Sequence, residues 1–304
     1  LAGNIGYVRG CVQAVNLREE VAWVHREHPE NATAKGKNLV RMAMENALQQ
    51  EYTIPLSTSI NSSAMVIGGG IAGMAAALAI AGHGLEVHLV EKTAELGGNL
   101  KELFATLEGG DVPQLLAETI AQVKQNEKIH LHFGTEVTEA GGYAGNFVVA
   151  VREQNTAISS INSGAIIIAS GGGEYQPAEY IYGQREEIIT QRELEQRLFS
   201  RRIDPQRLKS VVMLQCVGSR DAERPYCSRV CCSQALKNAL RLKETNPRIE
   251  LIVFHRDIMS YGFKEEFYTR AREKGVQFVR FDPAKKPVLR QDGQQLIIEA
   301  DEPV

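Results

Sequence analysis

The chain has 304 residues, enough for about two domains of ordinary size. Its 43% hydrophobic and 23% charged residues are globular proportions and exclude a disordered or collagen-like chain. With 34 Lys and Arg against 37 Asp and Glu, the net charge of −3 excludes a broad electrostatic pull on nucleic acid or anionic lipid.

The chain opens on Leu1 with no basic-then-apolar leader, and both ends read as cut from a longer polypeptide. Residues 1–52 form an N-terminal segment in which 30–50 is helical, with Leu39, Met42, Ala43, Ala47 and Leu48 at helical spacing. Residues 53–63 are a polar linker. From Thr53 to Leu85 there is no Asp, Glu, Lys or Arg, longer than the roughly 20 residues a bilayer needs. The Ser/Thr/Asn-rich start and Gly68-Gly69-Gly70 fit a soluble strand-turn-helix better, so no transmembrane span is expected. Ala64–Ile67 is a buried strand, Ile71–Ala81 a small-residue helix and Glu86–Glu91 the next strand, a βαβ unit. A helix at Val112–Asn126 and strands at Ile129–Phe133, Phe147–Val151 and Ala165–Ala169 follow. A second βαβ pattern runs through Val211–Gln215, Ser233–Lys243 and Glu250–His255, then a helix at Lys264–Lys274 and a strand at Val276–Arg280. Leu296–Ala300 reads as a strand that stops without a return element. The rhythm is α/β in two similar halves, 64–190 and 191–304.

Gly68-Gly-Gly70-Ile71-Ala72-Gly73 satisfies G-x-G-x-x-G between a strand and a helix. Gly68 makes the tight turn, Gly70 admits a pyrophosphate to the backbone, and Gly73 lets helix and strand pack. The free N–H groups at the helix start, Ile71 and Ala72 among them, supply the anion site. Glu91 ends the next strand, 23 residues after Gly68, where a carboxylate accepts from a ribose 2′-hydroxyl and repels a 2′-phosphate. A glycine-rich loop in an unliganded core is the competing reading.

Four of the five cysteines fall between Cys216 and Cys232, in the first turn of the second βαβ. That turn has no G-x-G-x-x-G; it reads Gln215-Cys216-Val-Gly-Ser-Arg220, then Cys227-Ser-Arg-Val-Cys231-Cys232. Four thiolates suit one tetrahedral zinc or one [4Fe–4S] cluster. Adjacent Cys231 and Cys232 fit zinc knuckles poorly, whereas neighbouring residues reach different corners of a cubane. A thiol redox pair is the third reading, without a secretion signal to support disulfides. Cys11 reads as a buried bystander, and His25 beside Trp23 as packing. Lys237, five residues after Cys232, is placed to stabilise a reduced flavin or the cluster's charge; a solvated helix lysine is the alternative. Arg220 and Arg229 either offset cluster charge or sit on the surface.

Several segments resemble two-dinucleotide flavoproteins. Glu91-Lys92-Thr-Ala-Glu-Leu-Gly97-Gly98-Asn99 resembles their E-K-x-x-x-x-G-G signature, whose glycines lie against the FAD pyrophosphate. Ala169-Ser170-Gly171 resembles the A-T-G motif beside the flavin, and Gly134-Thr-Glu-Val137 the segment whose backbone holds adenine. That resemblance implies FAD, and a two-dinucleotide-binding, thioredoxin/disulfide reductase-like α/β fold: an FAD Rossmann domain and an NAD-domain-like domain, here modified for an iron-sulfur cluster.

The cysteine run, with Asn16–His25, Met65–Met74, Glu174-Tyr-Gln-Pro-Ala-Glu-Tyr180 and Glu265-Glu-Phe-Tyr268, resembles the HdrA-like family of heterodisulfide reductase subunits, including its QmoA-like relatives. In that family these four cysteines carry a [4Fe–4S] cluster beside a flavin. The resemblance implies a cytoplasmic oxidoreductase subunit, electron-bifurcating in some relatives. Its implied partners are HdrB- and HdrC-like subunits, ferredoxin, or hydrogenase- and dehydrogenase-type proteins, in a hetero-oligomer or a dimer of such complexes. Val21 stands where relatives often carry a cysteine, and no cysteine follows Gly97-Gly98-Asn99. The family continues beyond both ends, so the C-terminal completion of the FAD domain is expected outside this sequence. Two other functions compete: an NAD(P)H-dependent flavin oxidoreductase, which needs a nicotinamide site in place of the cysteine loop, and a zinc-stapled non-redox scaffold.

Overall fold

A computed structural model of the chain describes residues 12–50, 57–153 and 159–301. Two compact units divide between Ser59 and Ile60. In the first, helix α1 (Pro29–Gln49) starts with its proline in the first turn, where the missing N–H costs nothing. Cys11 lies outside the described residues.

The second unit contains everything that follows. Strands β1 (Ser63–Ile67), β2 (Glu86–Val90), β3 (Ile129–His132) and β7 (Ala165–Ile168) form a parallel sheet in the order β3-β2-β1-β7. Ala64, Met65 and Val66 are all buried, because β1 is central and covered on both faces. One face packs on α2 (Ile71–Gly82) and α3 (Val112–Gln125) through Val66, Met74, Ala77, Val87, Leu89 and Val123. Asp111 caps α3 by accepting from the Gln114 N–H at 2.9 Å. The other face, at Met65 and Val90, meets an antiparallel meander of β4 (Thr135–Tyr143), β5 (Asn146–Glu153) and β6 (Ser159–Ser163). Sequence patterning had signalled only β5 of these three strands.

A second parallel sheet, β10-β9-β8, comprises β8 (Ser210–Leu214), β9 (Glu250–His255) and β10 (Val276–Arg280). Helices α4 (Gln191–Phe199), α5 (Cys231–Thr245) and α6 (Glu265–Glu273) cover it, with Leu194, Leu236, Leu240, Leu251 and Ala271 in one core. Thr190 and Glu193 make a reciprocal capping box at the start of α4, a helix the hydrophobic pattern did not reveal. The strand expected to stop without a return element is β12 (Gln295–Glu299); it pairs antiparallel with β11 (Val288–Asp292). Among the described residues no helix is long and apolar enough to cross a membrane.

Candidate functional site

The G-x-G-x-x-G turn links β1 to α2. Gly68 has φ +109°, and a Cβ there would lie 2.2 Å from the Ala169 carbonyl oxygen, so only glycine lets β7 pass this close. A Cβ on Gly73 would lie 1.8 Å from the Gly68 carbonyl, but one on Gly70 would meet nothing within 4 Å. Gly68 and Gly73 therefore serve packing, and the space over Gly70 is open. Beside it run the N–H groups of Ile71, Ala72 and Gly73, ahead of the first helical bond, from Met74 to the Gly70 carbonyl.

The segments picked out by sequence converge on that opening. Gly97 bridges to Gly70 and donates to the Gly69 carbonyl at 2.9 Å, and Gly98 backs directly onto the Gly70 Cα. The Asn99 amide donates to the Gly172 carbonyl at 2.9 Å, tying this loop to the exposed Ser170-Gly171 turn. Glu91 is buried at the end of β2. Its Oε2 accepts from the Gly69 N–H at 2.7 Å and its Oε1 from the Thr93 N–H and hydroxyl, both at 2.8 Å. Burial works to raise the Glu91 pKa, but these donors outweigh it and hold the carboxyl below its usual range. Gly134 donates to the Thr93 carbonyl and Thr135 to that of Glu91, which brings the segment through Val137 alongside. Lys92 is exposed. A buried carboxylate, an open helix start and a glycine cradle fit a dinucleotide.

The cysteine loop leaves β8 and enters α5. Cys216, Arg220 and Arg229 hold φ of 63°, 58° and 60°, left-handed backbone that non-glycine residues adopt at a cost of about 1–3 kcal/mol each. Its fold is held from outside: Tyr175 fills the space at Gly218, and Arg224 stacks 4.1 Å over the Tyr175 ring while donating to the Gly218 carbonyl at 3.0 Å. Cys227 accepts the Arg229 N–H at 3.3 Å and the Cys232 thiol donates to the Asp257 carbonyl at 3.8 Å, while nearby backbone amides favour the thiolate at Cys216, Cys231 and Cys232. Arg220 pairs with Asp257 at 2.9 Å, and its positive charge favours the thiolate at Cys216. The hydrogen bond from Cys232 holds the Cys231 thiol at about 6, whereas Cys232, the buried donor, is raised; burial raises Cys216 as well. Among the described residues no three His, Cys, Asp or Glu side chains close on a single metal ion. Sulfurs dressed by N–H donors fit the outer hydrogen-bonding of an iron-sulfur cluster.

Between the two halves of this unit lies a cavity of about 1550 Å³, reached by Asn99, Gly172, Arg192, Cys216, Cys231 and Gln234. It exceeds the roughly 300–1,000 Å³ of a drug-sized ligand site. Buried, unpartnered atoms of Arg192, Gln215 and Gln234 belong to residues on its wall, and Arg220 and Ser233 add two more from the cysteine segment. Polar groups left orphaned in one place mark a binding site.

Lys237 does not stand free. Its ammonium donates to Glu195 Oε2 at 2.6 Å and to the Ala105 carbonyl at 2.9 Å. Glu195, 1% exposed, also accepts from the Phe104 N–H at 2.8 Å and the Ala105 N–H at 3.3 Å. This buried pair joins α4, α5 and the chain after the Gly97-Gly98 loop. Sequence reasoning missed Glu195, since nothing in a short charged helix announces a buried acid. It missed Arg192 on the same helix, and Gln234 on α5, because a single polar residue at a helix start carries no signal that its side chain is buried.

Two parallel α/β sheets, a dinucleotide turn on the first and a thiol loop on the second define a two-dinucleotide oxidoreductase framework. A family profile described as pyridine nucleotide-disulphide oxidoreductase matches residues 62–214, and the chain belongs to that family. Within it, the chain is similar to an H(2):CoB-CoM heterodisulfide,ferredoxin reductase subunit of Methanothermobacter marburgensis, 30% identical over 89% of this chain and 55% of that one. It is also similar to a CoB--CoM heterodisulfide reductase iron-sulfur subunit of Methanopyrus kandleri, 29% identical over 96% of this chain and 58% of that one. The chain thus spans little more than half the length of these curated relatives. In fold it matches Lactococcus lactis thioredoxin reductase with a TM-score of 0.50, at 16% identity over 79% of this chain and 74% of the other.

Proposed function

We propose that the chain is the FAD- and [4Fe–4S]-bearing part of an electron-transfer subunit in a heterodisulfide reductase-like complex. The observation that carries this is the thiol loop: four free cysteines between β8 and the first turn of α5 stand where the fold's second nucleotide turn would lie. In this reading the FAD domain occupies 64–190 and the cluster domain 191–304. When bound, FAD supplies two-electron chemistry and the cluster one-electron chemistry.

The protein's own residues do the rest. Gly70, Ile71, Ala72 and Gly73 present the helix start to the pyrophosphate, with Gly97, Gly98 and Asn99 closing the opposite side. Glu91, held ionised, accepts from the ribose, and the backbone at Val137 flanks the adenine. Ser170 and Gly171 lie at the flavin end. Cys216, Cys227, Cys231 and Cys232 are the cluster ligands, and Arg220 offsets their charge at Cys216. Lys237 acts with Glu195, setting the field between the cofactors instead of touching either. The relatives' names place them with a heterodisulfide and, in one, with H2 and ferredoxin. We carry over to this chain a place within a cytoplasmic electron-transfer complex, with HdrB- and HdrC-like chains as its neighbours.

Single Cys→Ser variants at the four positions test the assignment. Each is expected to keep its flavin and to lose most of its acid-labile sulfide. Sulfide retained in all four variants would sink it.

A further inference from the structure

Three of the chain's seven histidines sit side by side on β2 and β3, outside the dinucleotide and cysteine sites. The two strands are parallel and in register at His88 and His130. The two-residue period of a strand puts Glu86, His88 and Val90 on one face, with His130 and His132 beside them. Val90 on that face meets the β4–β6 meander, and β3 is an edge strand of its sheet. His88 and His132 are half-buried and His130 is exposed, so the group stands at a margin open to solvent.

His88 Nδ1 and His132 Nε2 are 3.1 Å apart, and their ring centroids 5.3 Å. Two imidazole nitrogens bound about 2.0–2.1 Å from one ion stand about 2.9 Å apart at a right angle and about 3.4 Å apart at the tetrahedral angle. The observed gap falls between these values, so one ion can take both rings with little movement of either strand. Two carboxylates favour positive charge there, Glu86 at His88 and Glu153 at His132. Burial keeps both imidazoles below the usual histidine value and so neutral at neutral pH, the form that ligates metal. His130 is engaged elsewhere: with Lys128 it closes on Glu86, at 2.9 Å and 3.0 Å. Among the described residues no third side chain closes on the same ion, so water completes its shell.

We propose that His88 and His132 chelate one divalent transition-metal ion of the zinc type, which staples β2 to β3 with water in its remaining positions. The His132 carbonyl accepts from the Glu91 N–H at 2.9 Å, so the staple braces the strand end that carries Glu91. The site shares no residue with the cysteine loop, and zinc here accompanies iron and flavin without replacing either. The competing account is a hydrogen bond between two neutral imidazoles that holds no metal.

Equilibrium dialysis of the full-length, cofactor-loaded protein against labelled Zn²⁺ at fixed pH and ionic strength tests it, with zinc-edge X-ray absorption on the loaded sample. One saturable zinc site per chain is expected, with nitrogen and oxygen but no sulfur around the metal. His88→Gln and His132→Gln should each weaken binding about tenfold or more, because losing a ligand costs at least as much as losing an outer-shell partner. His83→Gln, at the exposed histidine that ends α2, should leave it unchanged. Zinc should raise the thermal midpoint of the parent and of His83→Gln, and should not raise that of the other two variants. Either ligand variant suffices if the other fails to fold. No saturable site, sulfur around the bound zinc, or binding indifferent to both ligand variants would overturn the proposal.

Discussion

Gly70 and Gly73 stand three residues apart in one turn, yet substitution should separate their roles cleanly. Gly73 faces the Gly68 carbonyl, so Gly73→Ala must displace backbone, at about 1–3 kcal/mol or more. Gly70 has φ −74°, open to any residue, and free space beyond its Cα. Gly70→Ala is therefore expected to unfold within about 0.5 kcal/mol of the parent when both are stripped of cofactor. If the proposed site is right, its flavin content should nevertheless fall sharply, because the new methyl takes up the open space assigned to the pyrophosphate. Urea unfolding together with flavin absorbance checks both halves. A Gly70→Ala protein with full flavin would contradict the site.

At the scale of elements, one buried ion pair on the second sheet's helices also holds the Phe104–Ala105 backbone of the first half. Lys237 on α5 and Glu195 on α4 have side-chain exposures of 12% and 1%, too dry for either charge to stand alone. Lys237→Met strands the carboxylate and should cost about 3–5 kcal/mol, with Glu195→Gln comparable. The double variant should recover much of that loss. A shift in flavin midpoint potential with Lys237→Met, after allowing for stability, would register its proposed effect on the cofactors. A second element-level device lies on β2 and β3, where His88 Nδ1 and His132 Nε2 sit 3.1 Å apart. Burial chiefly, then neighbouring imidazoles, holds both below the usual value of 6.5. As pH falls the unfolded chain takes up protons first. The pair's contribution is thus complete above about pH 6.5 and is lost as pH drops through the lowered folded values. The thermal midpoint should fall between about pH 7 and pH 5, and His88→Gln should flatten that slope.

Across the whole molecule, what could be read in the sequence was what depends on local pattern. The βαβ units, the glycine turn and the clustered cysteines each lie within a short span, and their spacing carries their geometry. Strands β4 and β6 escaped because Gly141-Gly142 and a run of serines mask the alternation that packing on β5 reveals. Helix α4 carries few apolar residues, yet Thr190 and Glu193 spell a capping box that was there to be used. Glu195 and Lys237 are 42 residues apart, and only the tertiary fold shows that they meet. Anaerobic analysis of iron, acid-labile sulfide, zinc and flavin on one preparation tests the central claim most directly. We expect about four iron and four sulfide per chain, with one FAD. One zinc per chain and no flavin would contradict it.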